Sequence, residues 1–488
     1  MTMNREAGGG AVAAAVPGAG GEGYRRGLTP RTIQMIAIGG AIGTGLFYGS
    51  GGAIEQAGPA LILCYLAAGL VIFVIMRALG ELLTYRPVSG SFAEYANEFL
   101  GRFAGFATGW TYWAVWASTC MAEITVAGKY VRYWFAIPEW ITALVVLGVL
   151  FVANLISVRL FGEGEFWFST IKVTAILAMI AIGIAVLAFH VGHAPNPTVR
   201  NLWADGGVFP HGFGQALLAL QIVVFAYVGV ELVGVTAGEA HDPKRTLRKA
   251  INSLPLRIGL FYVGALVVIM SVASWRSFHA GRSPFVEVFA EIGIPGAAGI
   301  INFVLLTAAL SSCNSGLYST GRMLRSLASR GEAPAALGGL SRRQVPWAGI
   351  TVSAAVMVIG VIVNVLSPDR AFTYITSVST VGIIVVWAVI LVCHWIYRGR
   401  VRRGALPAAD YRLPGAPVTT VVALAFLALV VVLLFRTDGG RTALIVGAIW
   451  AALLCAGYPI VNRSARQAEP EVSSAGRAGR PGRPGGAA

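Results

Sequence analysis

The sequence predicts an all-α integral membrane protein of about twelve transmembrane helices, and three observations carry that prediction. Only 12% of the 488 residues are charged while 56% are hydrophobic, giving a mean hydropathy of +0.72. A soluble domain carries about 25% charged residues, so much of this exterior has to face lipid. Apolar runs of roughly 20 residues, the length that crosses a hydrocarbon core about 30 Å thick, recur along the chain. Lys and Arg gather in alternate loops between them.

In chain order, residues 1–23 are rich in Gly and Ala and lack the basic start, compact apolar stretch and cleavage site of a signal peptide. They are expected to form a disordered cytoplasmic tail. Residues 24–461 then read as one membrane domain. Its first five spans are expected at 32–54, 59–83, 104–133, 139–158 and 165–190. A second five follow at 213–238, 253–275, 295–324, 347–366 and 371–396. The third and eighth are long enough to tilt or to project beyond the bilayer. Because five is odd, the two sets run through the membrane in opposite directions, so 32–190 and 213–396 read as an inverted repeat. The last two spans, 415–435 and 441–461, lie outside the pair and read as peripheral. Residues 462–488, with their Ser, Gly, Pro and Arg, read as a second disordered tail.

The net charge is +15 and the pI near 10.0. The basic residues sit in short segments between apolar runs, without interleaved aromatics, which argues against nucleic acid and for contact with anionic headgroups. Lys244, Arg245, Arg248, Lys249 and Arg257 follow the sixth span; Arg322, Arg325, Arg330, Arg342 and Arg343 follow the eighth. Arg398, Arg400, Arg402, Arg403 and Arg412 follow the tenth. Opposite loops hold Arg200 alone in 191–212, Arg370 alone in 367–370 and none in 55–58. Both termini of this multi-pass cell-membrane protein are therefore expected in the cytoplasm. Lys129 and Arg132, at the outer end of the third span, depart from the rule at a place where long side chains can snorkel. The cysteines Cys64, Cys120, Cys313, Cys393 and Cys455 all fall in apolar runs, without metal-ligand spacing, and read as small buried hydrophobes.

Two spans are built to break. The first contains Gly39, Gly40, Gly43, Gly45 and Gly49, and each Gly weakens a helix by about 1 kcal/mol against Ala. The sixth runs Phe225-Ala226-Tyr227-Val228-Gly229-Val230-Glu231, with a carboxylate near mid-depth. They hold equivalent places in the two sets, the arrangement that points to a midplane substrate site. Backbone groups freed in hydrocarbon need partners. N–H groups around Thr44, Gly45 and Leu46, at a half-helix start, suit a carboxylate. Carbonyls near Ala41, Phe225, Ala226 and Val228 suit an ammonium. Together they fit the zwitterionic head of an α-amino acid; close packing through small residues is the competing account. A dinucleotide reading of the glycine run fails, because it lies within a span rather than between a strand and a helix.

Ionisable groups at membrane depth are functional by default. Glu231 is assigned a proton-binding or gating role, with packing beside a cation as the alternative. Lys172 lies about two turns into the fifth span, where its ammonium either takes the place of a bound cation or snorkels inward. Glu123, in the third span, lines the pocket or pairs with a cation. Thr307, Ser311, Ser312, Asn314, Ser315 and Tyr318 of the eighth span form either a polar path or interhelical glue, as do Thr376, Ser377, Ser379 and Thr380 of the tenth. The histidines lie at span ends or in loops, so proton chemistry is expected to rest on carboxylates. No nucleophile–base pair, metal cluster or phosphate loop supports an enzyme or a cofactor.

These segments resemble the amino acid–polyamine–organocation superfamily, specifically its bacterial amino-acid transporter family. The likeness runs through Met35–Phe47, Arg77–Glu81, Gly162–Lys172, Phe225–Asp242, Lys249–Ser253 and Thr307–Arg322. It implies a leucine-transporter-like fold, a 5+5 inverted repeat with broken helices 1 and 6, working by alternating access and driven by protons. It makes Gly43, Thr44 and Gly45 a carboxylate clamp and Phe225 an aromatic gate. Glu231 becomes the proton-sensing glutamate, and Lys172, with Ser311 and Ser312, a substitute for a sodium site. Tyr411–Pro417 resembles asparagine carriers, whereas Met121–Thr125 resembles threonine–serine carriers. Asparagine carriers usually have Asp where Glu123 stands, so a neutral, small or polar amino acid is the expected substrate. D-Alanine, D-serine, glycine or proline remain alternatives, as does a facilitator or exchanger without proton coupling, and a monomeric functional unit is expected.

Overall fold

A computed structural model describes residues 42–88, 91–156, 158–192, 194, 196–236, 243–293 and 295–468. Ala41, the start of the first span, residues 1–23 and residues 469–488 lie outside the described residues; residues 462–468, expected in the second disordered tail, instead continue the last helix to Ala468. Among those described the secondary structure is helical, without strands.

Among the described residues eight helices are long and apolar enough to cross a membrane: Gly49–Tyr85, Glu139–Ile156, Glu163–Phe189, Arg245–Val272, Ala297–Ser329, Trp347–Leu366, Ala371–Arg402 and Asp438–Val461. The other four spans read from the sequence are shorter, interrupted or less apolar. The first begins for description at Ile42, winds from Thr44 to Phe47 and again from Gly49 to Ala57, and meets the second through one tight turn, Gly58–Ala60. The third is the helix Arg102–Arg132, made less apolar by its Trp, Tyr, Thr and Gly residues. The sixth is interrupted, and the eleventh is the 17-residue helix Val418–Leu434.

The third span is the hub, packing along the fourth, eighth, ninth and tenth. The apolar stretches of the eighth and tenth spans are 61% buried and that of the twelfth only 6%, so the twelfth faces lipid. Cys455 lies on it and is exposed, which corrects its reading as a buried hydrophobe; the other four cysteines are buried.

Three further helices lie between the spans expected from sequence. Ser91–Leu100 buries Phe92 and Tyr95 against the second and third spans, Pro243–Asn252 leads into the seventh, and Pro284–Ile292 packs Phe285 against Phe47 at 4.9 Å. Nor do Lys129 and Arg132 simply snorkel. Their side chains reach Glu139 at 3.6 and 3.2 Å, fastening the third span to the fourth.

At the arginine-rich end, Glu81 of the second span accepts hydrogen bonds from His394 (2.9 Å), Arg398 (3.0 Å) and the Leu413 N–H (2.6 Å). His394 is fully buried, eight residues inside a helix that runs on to Arg402, not at a span end. Nearby, Arg330 bridges Glu94 at 2.5 Å and Glu332 at 2.8 Å. These pairs bind the second, eighth and tenth spans and the short helix Ser91–Leu100 together at the arginine-rich end.

Candidate functional site

The sixth span stops at Ala226 and restarts at Leu232. Between them Tyr227–Glu231 form turns, with Val228 N–H donating to Phe225 O (3.0 Å) and Val230 N–H to Tyr227 O (3.3 Å). Gly229 sits at φ +107°, a conformation that side chains resist. Its N–H donates to both oxygens of Glu231, at 3.3 and 3.1 Å, and Tyr112 OH donates to one of them at 3.3 Å. The fully buried Glu231 thus folds back over the break and ties it to the third span. Among the described residues no Lys or Arg forms an ion pair with it.

In the first span Gly43 is extended and Thr44 opens the helix. Thr44 N–H points at Glu123 Oε1, 3.4 Å away. A Cβ on Gly43 would lie 2.7 Å from that oxygen and 3.4 Å from Ser312 Oγ. A Cβ on Gly45 would lie 2.5 Å from Ala226 Cα. The first span therefore meets the sixth backbone to backbone, beside the break, as only glycine allows. Phe225 O takes the Val228 N–H at 3.0 Å, and Ala226 O takes Tyr262 OH at 3.2 Å.

Lys172 is fully buried, and its Nζ donates to Ile42 O at 3.3 Å, next to Gly43. Snorkelling is excluded by that burial. Ser311 Oγ donates to Glu165 Oε1, at 2.6 Å, and Ser169 reaches the same oxygen at 3.5 Å. Glu165, two turns before Lys172 on one face of the fifth span, is the residue the sequence reading missed. Lys172 has Glu165 and Glu123 as its electrostatic neighbours. Ile42, Thr44, Glu123, Glu165, Lys172, Ser311 and Ser312 thus join the first, third, fifth and eighth spans around one buried polar locus.

Elsewhere the eighth and tenth spans carry bonds between helices, while Thr376 lines the cavity described next. Asn314 bonds Asn154 at 2.8 Å, Ser379 bonds Thr119 at 2.8 Å, and Thr380 bonds Gln221 O at 3.3 Å. At the end of the molecule away from the arginine-rich loops a cavity of ≈ 400 Å³ is lined by Tyr48, Gln56, Lys129, Gln221, Asp369 and Phe372 among others. Phe372 stacks edge-on with Tyr48 (5.0 Å) and Phe225 (6.2 Å), so aromatic rings stand between the cavity and the break. Tyr48 and Phe372 gave no signal in sequence, where aromatics near span ends are common.

Comparison with known proteins adds to this geometry. The sequence pattern described as "Amino acid permease" matches residues 32–471. An uncharacterised amino acid permease of Bacillus subtilis is 49% identical over 89% of this chain and 94% of its own length. The L-asparagine permease of Streptomyces coelicolor is 45% identical over 93% and 94% respectively. The D-serine/D-alanine/glycine transporter of Escherichia coli K12 is 45% identical over 90% and 94%.

Proposed function

The chain belongs to the amino acid permease family, and from that premise we propose that it imports a neutral, small or polar amino acid by proton symport, with alternating access. One observation carries the reading: the sixth span is unwound over Tyr227–Glu231 where the first span's glycines meet it, deep among buried helices. In this reading the substrate carboxylate binds at Gly43, Thr44 and Gly45, and its ammonium at the carbonyls of Phe225, Ala226 and Val228, with Ala41 beside them. Relatives named for L-asparagine and for D-serine, D-alanine and glycine favour small or polar substrates over large apolar ones.

The chain enters its cycle with the outer cavity leading to Phe225 and Phe372, and with the inner end held by Arg330, Glu94 and Glu332. Amino acid and proton bind together. Protonation of Glu231 weakens its hold on the Gly229 N–H and Tyr112, and the turn closes over the occupied site. Glu123 yields the Thr44 N–H to the substrate. Lys172, on Ile42 O, keeps the first span in register with the fifth and, through Glu165 and Ser311, with the eighth, in the manner of a sodium-site substitute. Twelve spans, a 5+5 inverted repeat and cytoplasmic termini complete the reading, which the asymmetry of Lys and Arg supports.

Counterflow in proteoliposomes with labelled L-asparagine, L-threonine, L-proline, D-serine and glycine tests it, followed by uptake of the best substrate under an inward proton gradient. The reading requires accumulation above equilibrium that collapses with the gradient. Equilibration without accumulation would make the chain a facilitator.

A further inference from the structure

We propose that Glu123, Glu165 and Lys172 form a proton-binding site separate from Glu231, in which one exchangeable proton is held by the two carboxyl groups around the single ammonium. The inference rests on the symport reading and adds a site to it.

The argument starts from charge. Glu123 is 2% exposed, and Glu165 and Lys172 are 0% exposed, so none of the three is relieved by water. Fully ionised, two carboxylates and one ammonium leave one negative charge in excess. An uncompensated ion in such surroundings is strongly unfavourable even after relaxation. Adding one proton brings the trio to neutrality, so the resting trio holds one proton. Without Glu165, Lys172 and Glu123 would be a balanced pair with no proton to exchange. Glu165 is what makes the count odd.

The hydrogen bonds agree. Glu165 Oε1 is engaged by Ser311 and Ser169. Its Oε2 is buried without a hydrogen-bond partner among the described residues, and so is Ser315 Oγ, which stands beside it. A carboxylic acid O–H on Oε2 has that hydroxyl as acceptor. Glu123 repeats the pattern, with Oε1 facing the Thr44 N–H and Oε2 buried and unpartnered among the described residues. Each carboxyl therefore offers one buried oxygen for a proton.

The groups facing the trio from neighbouring elements set what else could titrate. Lys172 faces both carboxyls, while Cys120 and Tyr130 of the third span face Glu123. The eighth span presents the hydroxyls of Ser311, Ser312 and Ser315. Glu231 keeps its own bonds to Gly229 and Tyr112. In transport, a proton from water on the outer side adds to a carboxylate oxygen and the resulting acid returns it to water on the inner side; no other bond changes. Glu123 gives the site its link to substrate. When the substrate carboxylate takes the Thr44 N–H, a Glu123 carboxylate beside it would repel it, whereas the acid does not.

The test is the number of protons carried per amino acid, read in proteoliposomes of the full-length chain. With labelled L-asparagine, D-serine or glycine as probe, the proton gradient that just stops net flux against a fixed amino-acid gradient gives this ratio whatever the rate. Glu165→Gln is expected to lower the ratio by one proton, Glu123→Gln to lower it equally, and Glu165→Asp to keep the wild-type value. A wild-type ratio in both Gln variants overturns the site, and so does a loss in Glu165→Asp, which would make shape rather than charge the cause. If Glu165→Gln carries no flux, Glu123→Gln and Glu165→Asp decide by the same count. A wild-type ratio of zero would instead refute symport and take this site with it.

Discussion

Gly45 shows what a single missing methyl can do. A Cβ there would stand 2.5 Å from Ala226 Cα, and the neighbour is backbone that cannot swing away. Gly45→Ala is expected to cut counterflow at least tenfold while the protein still inserts and purifies; near-normal counterflow would mean the two spans are free to part. Glu81 makes the second residue-scale case. It is buried under three donors, and losing a buried charged partner costs about 3–5 kcal/mol. Glu81→Ala is expected to lower the melting temperature in detergent sharply, and an unchanged value would contradict the clamp. Gly43–Gly45 and Lys172 were legible because glycine runs and isolated charges stand out in apolar sequence. Glu165 and His394 were not. Each lies near the edge of its apolar run, but the helices continue to Val158 and Arg402, which carries both residues inward.

At the scale of elements, the interrupted sixth span matters most, and it was legible in outline: the chain had a Gly, a carboxylate and aromatics where a helix needed good formers. What sequence could not give was which residue bends. Gly229, at φ +107°, does, with its N–H turned onto Glu231. Gly229→Ala would strain the turn by about 1–2 kcal/mol, by analogy with the left-handed helical region. Its melting temperature and counterflow should both fall; if neither does, the turn has an alternative conformation and Glu231 is not fixed by it. The helices Ser91–Leu100, Pro243–Asn252 and Pro284–Ile292 escaped the reading because each is at most ten residues long, too short for a hydropathy window tuned to membrane spans.

The two ends of the molecule differ in what holds them. The cavity beside Tyr48 and Phe372 reaches toward the break in the sixth span, while at the arginine-rich end Arg330 bridges Glu94 and Glu332. The Arg330 bridges to Glu94 and Glu332 should therefore hold the inner gate shut. Arg330→Ala is expected to raise several-fold the labelling of a cysteine placed at Ser312 by an impermeant thiol reagent from the inner side, in a background without native cysteines. Unchanged labelling would assign the inner gate to other contacts. The expected polarity rests on the asymmetry of Lys and Arg in the sequence, against which Arg276 and Arg282 also lie on the side read as outer, where Arg282 meets Glu287 at 3.6 Å.

The measurement that bears most directly on the account is an experimental structure with the transported amino acid bound. The account places the carboxylate within about 3 Å of the Thr44–Leu46 N–H groups, with Glu123 moved off Thr44, and the ammonium on carbonyls between Phe225 and Val228. An amino acid found in the outer cavity alone, beside a sixth span wound without interruption from Gly212 to Thr236, would contradict it.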